Sequence, residues 1–455
     1  MVKIIFESAF ILILFNACTV ENGTKSKSEL YPEKNYMLDI NGRIASTEMY
    51  LSDFDSAQSC QVCHQEHYNE WSRSMHAFAM QDPVFIKGWL EEQELHPETG
   101  ERFCIQCHNP PAFVTGEYLN GYETTDYLPQ MIKEGISCDF CHSVTDLSNT
   151  VHTPDNVVAI AEFHLNPGEG IKYGSLENPV KNDYHESQYH PIFKRSDFCL
   201  PCHNMTVRNV EAEMTFTEWR RIPGNDMGDL NSCQSCHMPL KTNGSHNHEF
   251  TGVDINLTNA PGNSIYDQQY NSVLILLQNA VILEFGGATE DESIKIIGDS
   301  LFIPVKITSQ TQHALPSGTS FSREAWLEIQ VLNKETGELL FSSGLIADSS
   351  DLNINDENLL LFTSYLLDKN GDTTNSVSQT HDIIEQLLPP SPSKYHIYKF
   401  IGDFNSVNQL EINIKMRFRA FKPHLLREDH PELLQHLPIF EMATLQNRVD
   451  IQSSR

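Results

Sequence analysis

Five copies of one five-residue pattern carry the chemistry of this chain. They are Cys60-Gln61-Val62-Cys63-His64, Cys104-Ile105-Gln106-Cys107-His108, Cys138-Asp139-Phe140-Cys141-His142, Cys199-Leu200-Pro201-Cys202-His203 and Cys233-Gln234-Ser235-Cys236-His237. Each reads C-x-x-C-H. Two thiols at this spacing reach the two vinyl groups on one edge of a porphyrin, and the histidine that follows turns its imidazole onto the iron. Zinc also accepts C-x-x-C pairs, but it would join two such elements into four ligands and demands no histidine after every second cysteine. Disulfides within the motifs would close only tiny loops. The pattern predicts five c-type haems, attached through these ten cysteines, with His64, His108, His142, His203 and His237 as proximal iron ligands.

The elements that position these residues have little chain to work with. The first cysteines stand at 60, 104, 138, 199 and 233, so the macrocycles must supply much of the core. Short helices and long loops follow as the expectation for 51–262. The punctuation agrees: Asn109-Pro110-Pro111, Asn166-Pro167-Gly168, Pro223-Gly224 and the closing Pro261-Gly262. Beyond, the texture changes to strands at Val273–Phe285, Leu301–Thr308, Ala325–Leu332, Leu339–Ser343, Leu359–Leu366, Lys394–Phe400 and Gln409–Phe421. Several alternate apolar and polar residues, and Thr336-Gly337 and Asn370-Gly371-Asp372 mark turns between them. The expected fold class is α + β with two domains. A loop-rich, mainly α haem domain is followed over 265–425 by a β-sandwich of immunoglobulin-like type. Residues 426–455 read as a tail, with a short helix over His430–Gln446 and with His430 and His436 solvated.

The eleventh cysteine, Cys18, ends an apolar run, Ile4 to Ala17, that follows Lys3 and is broken only by Glu7, Ser8 and Asn16. The run is short for a membrane span and reads as a signal peptide. Ala17-Cys18 fits the end of a bacterial lipoprotein signal, although Phe15 and Asn16 are unusual choices there; the other reading is ordinary cleavage nearby. Residues 19–50 begin with a polar stretch suited to a tether. Covalent haem attachment itself requires export. The expected location is the periplasm or cell surface, with a lipid at Cys18 holding the chain to the outer membrane. A net charge of -30, from 31 basic and 61 acidic residues, excludes nucleic acid as a partner and leaves redox proteins, such as other cytochromes or a quinol-linked donor.

What lies opposite each proximal histidine decides the chemistry. A second histidine closes the iron, methionine raises its potential, and an empty position binds substrate. Of 20 histidines, fifteen are free to serve. Here the flanking words carry a resemblance: Trp71-Ser-Arg-Ser-Met-His76-Ala77 after the first motif, Gly135-Ile136-Ser137 before the third, Tyr173-Gly174 and Tyr184-His185-Glu186-Ser187 before the fourth, and Met238-Pro239 through His248-Glu249-Phe250-Thr251-Gly252 after the fifth. The chain resembles the multihaem cytochrome c family related to the nitrifiers' tetrahaem electron-transfer cytochrome and to hydroxylamine oxidoreductase. Gln312-His313-Ala-Leu-Pro-Ser-Gly318, with Arg323 and Trp326, resembles the β-domain attached to exported members. The resemblance covers most of 57–345 and implies His76, His185 and His248 as distal ligands. His152 and His313 are further candidates, each with a plain alternative as a loop histidine. His67, one helical turn after His64, cannot fold back onto the same iron.

Five haems held in under two hundred residues must lie close together, which suits a protein that passes electrons. The alternative is a multihaem oxidoreductase with one open iron, acting on a small nitrogen or sulfur compound. The related pentahaem nitrite reductases carry a C-x-x-C-K motif, and this chain has none.

Overall fold

The computed structural model describes residues 49–96, 100–117, 128–148, 158–159, 162–225, 231–289, 293–346, 350–404 and 406–451. Cys18, the apolar run before it and His152 lie outside these residues. No helix among the described residues is long and apolar enough to cross a membrane.

The motifs sit on helices of nine residues at most, among them Ala57–Gln61, Gly100–His108, Cys138–His142 and Cys233–His237. Three of these helices start at a serine whose side chain accepts a backbone N–H of the first turn: Ser56 from Gln58, Ser137 from Phe140 and Ser232 from Ser235. Such a cap contributes about 1 kcal/mol, which matters for helices too short to be stable alone. Two apolar clusters here are small. One holds Ala57, Trp71 and Ala77; the other, Val207 and Ala212 with Cys104 and Cys107 against them.

The large core lies further along the chain, from Ile255 to Ile451. An antiparallel sheet of four strands, with Ser300–Ser309 central between Lys394–Ile401 and Val281–Phe285, faces a sheet of seven strands. In the larger sheet Glu324–Asn333 pairs with Gln409–Arg419, which pairs with Phe440–Asp450. Strict alternation buries Leu410, Ile412, Ile414, Met416 and Phe418 completely, and they share one cluster with Leu301, Ile303, Val305 and Ile307 of the smaller sheet.

Two local expectations are corrected. The run read as a strand from Val273 starts inside a helix, Ser264–Gln278, capped by Asn263. Tyr266, Val273 and Leu277 fall on its buried face, so helical spacing prevails over the β-branched texture of Val273-Leu-Ile-Leu-Leu277, and the strand begins only at Val281. The stretch read as a helical tail makes one 3-10 segment, Pro431–His436, and then the strand Phe440–Asp450. Its helix-forming residues are overridden by ten residues of ladder along 409–419, with Phe440 and Met442 buried.

The sandwich is joined to the motif-bearing half by polar contacts, and all described residues belong to one compact unit. Arg323 grips Asp254 through two bonds of 2.7 and 2.9 Å. Glu218 accepts from the Ala314 N–H and the Ser317 hydroxyl. Glu92 accepts from the Ser376 hydroxyl, and Arg208 donates to the carbonyls of Ser378 and Thr380.

Ile414→Ala should cost about 2–5 kcal/mol through the cavity it leaves. Urea unfolding followed by tryptophan fluorescence would show the lowered midpoint; an unchanged midpoint would mean the two sheets do not share this core.

Candidate haem-binding site

Four of the five motif histidines face another histidine at one spacing. Ring centres are 6.2 Å apart for His64 and His185, 6.3 Å for His76 and His203, 6.4 Å for His142 and His248, and 6.3 Å for His237 and His313. Two imidazoles that share one metal at ~2.0–2.1 Å from each nitrogen, with each ring centre roughly 1.1 Å behind that nitrogen, have centres about 6.3 Å apart. The neighbouring histidines His67 and His248 lie closer, at 4.6 Å. The observed donor sets therefore fit an iron held between two imidazoles. His67 also lies 6.4 Å from His64, but it stands on the helix that follows the motif, on the same side of any macrocycle.

The other ring nitrogens are oriented to match. The Nδ1 of His142 lies 2.6 Å from the Tyr173 carbonyl, that of His237 2.7 Å from the Thr251 carbonyl and that of His108 3.3 Å from the Ala79 carbonyl. Those of His248 and His313 lie 2.9 and 2.8 Å from the carbonyls of His246 and Ala314. A carbonyl at Nδ1 fixes the proton there and leaves Nε2 as the metal-binding atom. His203 differs: its Nδ1 faces the carboxylate of Glu213 at 3.5 Å.

Local structure explains how each partner arrives. Ser74 caps the short helix Met75–Phe78, and the Ile136 N–H donates to the His76 carbonyl. Gly135, at φ +59°, passes so close that a Cβ would stand 2.6 Å from that carbonyl oxygen. The Asn182 side chain accepts from the Tyr184 and His185 N–H groups and turns the chain there. A parallel pair, Ile171–Gly174 with Glu186–Tyr189, then joins the Tyr173 carbonyl that steadies His142 to the neighbourhood of His185. Glu70 accepts the His248 N–H and is itself gripped by Lys241. Burial alone would raise the Glu70 carboxyl, but Lys241 and the His248 N–H outweigh it and keep the group ionised. His67, Glu70 and His248 could hold a metal by distance, but His248 is already committed to the pair with His142. His313 comes from the sandwich, on a loop fastened to Glu218.

Burial pushes His76 and His248 down to about 3, and His108 and His237 to about 4, with neighbouring histidines adding to the effect in His76, His248 and His237. They are held as neutral imidazoles, the form that binds metal.

His108 has no such partner: among the described residues no second imidazole stands at this spacing from it. Phe85 lies flat on its face, 3.8 Å away at 9°. A metal bond lies in the imidazole plane, so a ring on that face stands beside the histidine and not across an iron. The place of His152 is outside the described residues.

The motifs also touch one another. The Cys60 sulfur lies beside that of Cys138, Cys199 beside Cys233, and Cys202 beside Cys107, whose sulfur is 4.0 Å from the Pro201 carbonyl. Cys141 lies within electrostatic range of Cys199 and Cys202. The order is first–third–fourth, with the second and fifth motifs both against the fourth. Sequence reasoning missed this branch, Phe85 and Glu213, since no local pattern marks any of them.

Residues 59–143, which contain the first three motifs, match the sequence model of a family described as cytochrome c554 and c-prime. No curated protein matches the chain. Among solved structures the fold is similar to that of a penta-heme cytochrome c552 from Thermochromatium tepidum, with a TM-score of 0.62 at 18% identity over 87% of this chain and 99% of that one. Together with the motifs, these likenesses support a multihaem c-type cytochrome.

Two outcomes follow. Gly135→Ala should displace His76 and convert one low-spin haem to high spin in the optical and electron paramagnetic resonance spectra; spectra like the parent's would show that the close approach is not needed. Histidines whose folded pKa is depressed stabilise the fold fully above their ordinary value near 6.5 and less as pH falls through the folded values. Acid titration should therefore leave the protein stable at neutrality and unfold it between about pH 6 and 3, followed by loss of the low-spin spectrum. A stability that rises on acidification would contradict the assignment.

Proposed function

We propose that this chain is an exported electron carrier with five covalently attached haems, four of them closed by the histidine pairs 64–185, 76–203, 142–248 and 237–313. The observation that carries this reading is the common spacing of 6.2–6.4 Å between a motif histidine and a second histidine distant in sequence, in all four pairs. Haem c, once attached, supplies one-electron exchange between ferric and ferrous iron. The chain's own residues anchor the macrocycles by ten cysteines, hold the imidazoles neutral, fix their tautomers and keep the motifs in mutual contact. Closed irons with two nitrogen ligands suit transfer without substrate binding.

The finer parts of the reading rest on sequence. The resemblance to the nitrifier family supports the distal ligands, and two facing sheets support an immunoglobulin-like sandwich as a second domain. A lipid at Cys18 would tether the chain to the outer membrane, with other cytochromes or a quinol-linked donor as partners.

One observation favours a second function. The iron on His108 lacks a partner imidazole among the described residues, so an oxidoreductase acting there on a small nitrogen or sulfur compound is the alternative.

Carbon monoxide added to the reduced holoprotein tests the paired ligation and the open position at His108 together. Uptake by one haem in five is expected, and His313→Ala should add a second. No uptake at all would close the iron on His108 and remove the oxidoreductase reading. Uptake by two or more haems in the parent would overturn the paired ligation.

A further inference from the structure

We infer that Glu213 is a potential-setting residue for the haem held by Cys199, Cys202 and His203, and that it makes this branch haem more reducing than carbonyl-partnered ligation would. The inference rests on the proposed function, since it takes His203 as an iron ligand.

A hairpin sets the Glu213 carboxylate in place. Met205–Val207 pairs with Val210–Glu213 through the two-residue turn Arg208-Asn209, with φ of 47° and 67°. Positive φ at both positions is the signature of the tight turn that matches strand twist. Met205 stands opposite Glu213, so the turn folds the carboxylate back to a residue two positions from His203. The Phe216 N–H donates to the His203 carbonyl at 3.0 Å and ties down the far end. Arg208 at the turn is fastened to the carbonyls of Ser378 and Thr380 in the sandwich. Glu213 is thereby held with its Oε1 3.5 Å from His203 Nδ1, its side chain mostly buried.

No other motif histidine has this arrangement among the described residues. His142, His237 and His108 meet neutral carbonyls at Nδ1. A carboxylate draws the Nδ1 proton more strongly and makes the imidazole a better electron donor to its metal. Its negative charge in a poorly solvated place also favours the more positive ferric state. The nearby guanidinium of Arg323 is occupied by Asp254, so it does not cancel this charge by direct contact. The position gives the effect its meaning. The fourth motif touches the second and the fifth and lies near the third, so a low potential there would bias how electrons divide among branches.

Redox titration of the full-length holoprotein, followed by optical and electron paramagnetic resonance spectra, provides the test. Glu213→Gln should move one of five midpoints upward and change one low-spin signal, leaving the other four. Glu213→Asp keeps the charge one methylene further away and should move the same midpoint upward by less. This second variant decides the matter where Glu213→Gln fails to assemble. Five unmoved midpoints, or five that move together, would overturn the inference. A separate control protects the underlying reading: Cys199→Ala with Cys202→Ala should reduce the haem count by one. If that count is unchanged, the proposed haem attachment fails, and the role of Glu213 with it.

Discussion

An iron between two imidazoles would fix the distance between their rings, and four histidine pairs of this structure stand at that distance. The pairs join positions far apart in sequence: 64 with 185, 76 with 203, 142 with 248 and 237 with 313. Bridged by an iron, each would be a clasp across a long loop. Such clasps stabilise mainly by restricting the unfolded chain, as other cross-links do. This would help a region whose motifs sit on helices of nine residues at most to hold a defined fold. Attached macrocycles would supply the buried surface that its short elements lack.

The sandwich has an apolar core of its own and contributes to the motif-bearing half in two ways. His313, on a loop held by Glu218 of that half, faces His237, and Ser378 and Thr380 accept from Arg208 at the tip of the Glu213 hairpin. Its sheets are rigid, so the loops they carry are placed with little freedom. With His313 as an iron ligand the β-region would be part of the ligand set, which a detachable lid would not be.

How much of this was legible in the sequence depends on whether the signal is local. The C-x-x-C-H motifs are contiguous, so attachment and proximal ligands could be read directly. The strands Ser300–Ser309, Glu324–Asn333 and Lys394–Ile401 could also be read, because apolar runs in the first two and alternation in the third are local patterns. His76, His185 and His248 came only through resemblance, and nothing in their neighbours says which motif each one faces. His313 was undecided because a loop histidine before Pro-Ser-Gly looks the same whether it faces another ring or solvent. Glu213 gave no signal at all: a glutamate in Val-Glu-Ala-Glu is an ordinary strand residue until a two-residue turn carries it back to His203. Ser264–Gln278 and Phe440–Asp450 were misread where capping and ladder pairing, both dependent on distant or flanking residues, outweighed propensity.

The central claim is that histidine pairs, not single histidines, define four of the metal positions. Near-infrared magnetic circular dichroism of the oxidised holoprotein tests it most directly, because the charge-transfer band of low-spin ferric haem reports its axial ligands. The account predicts bis-imidazole bands with an intensity equal to at least four haems of the five present. An intensity equal to three or fewer, or bands of histidine–methionine ligation, would contradict it.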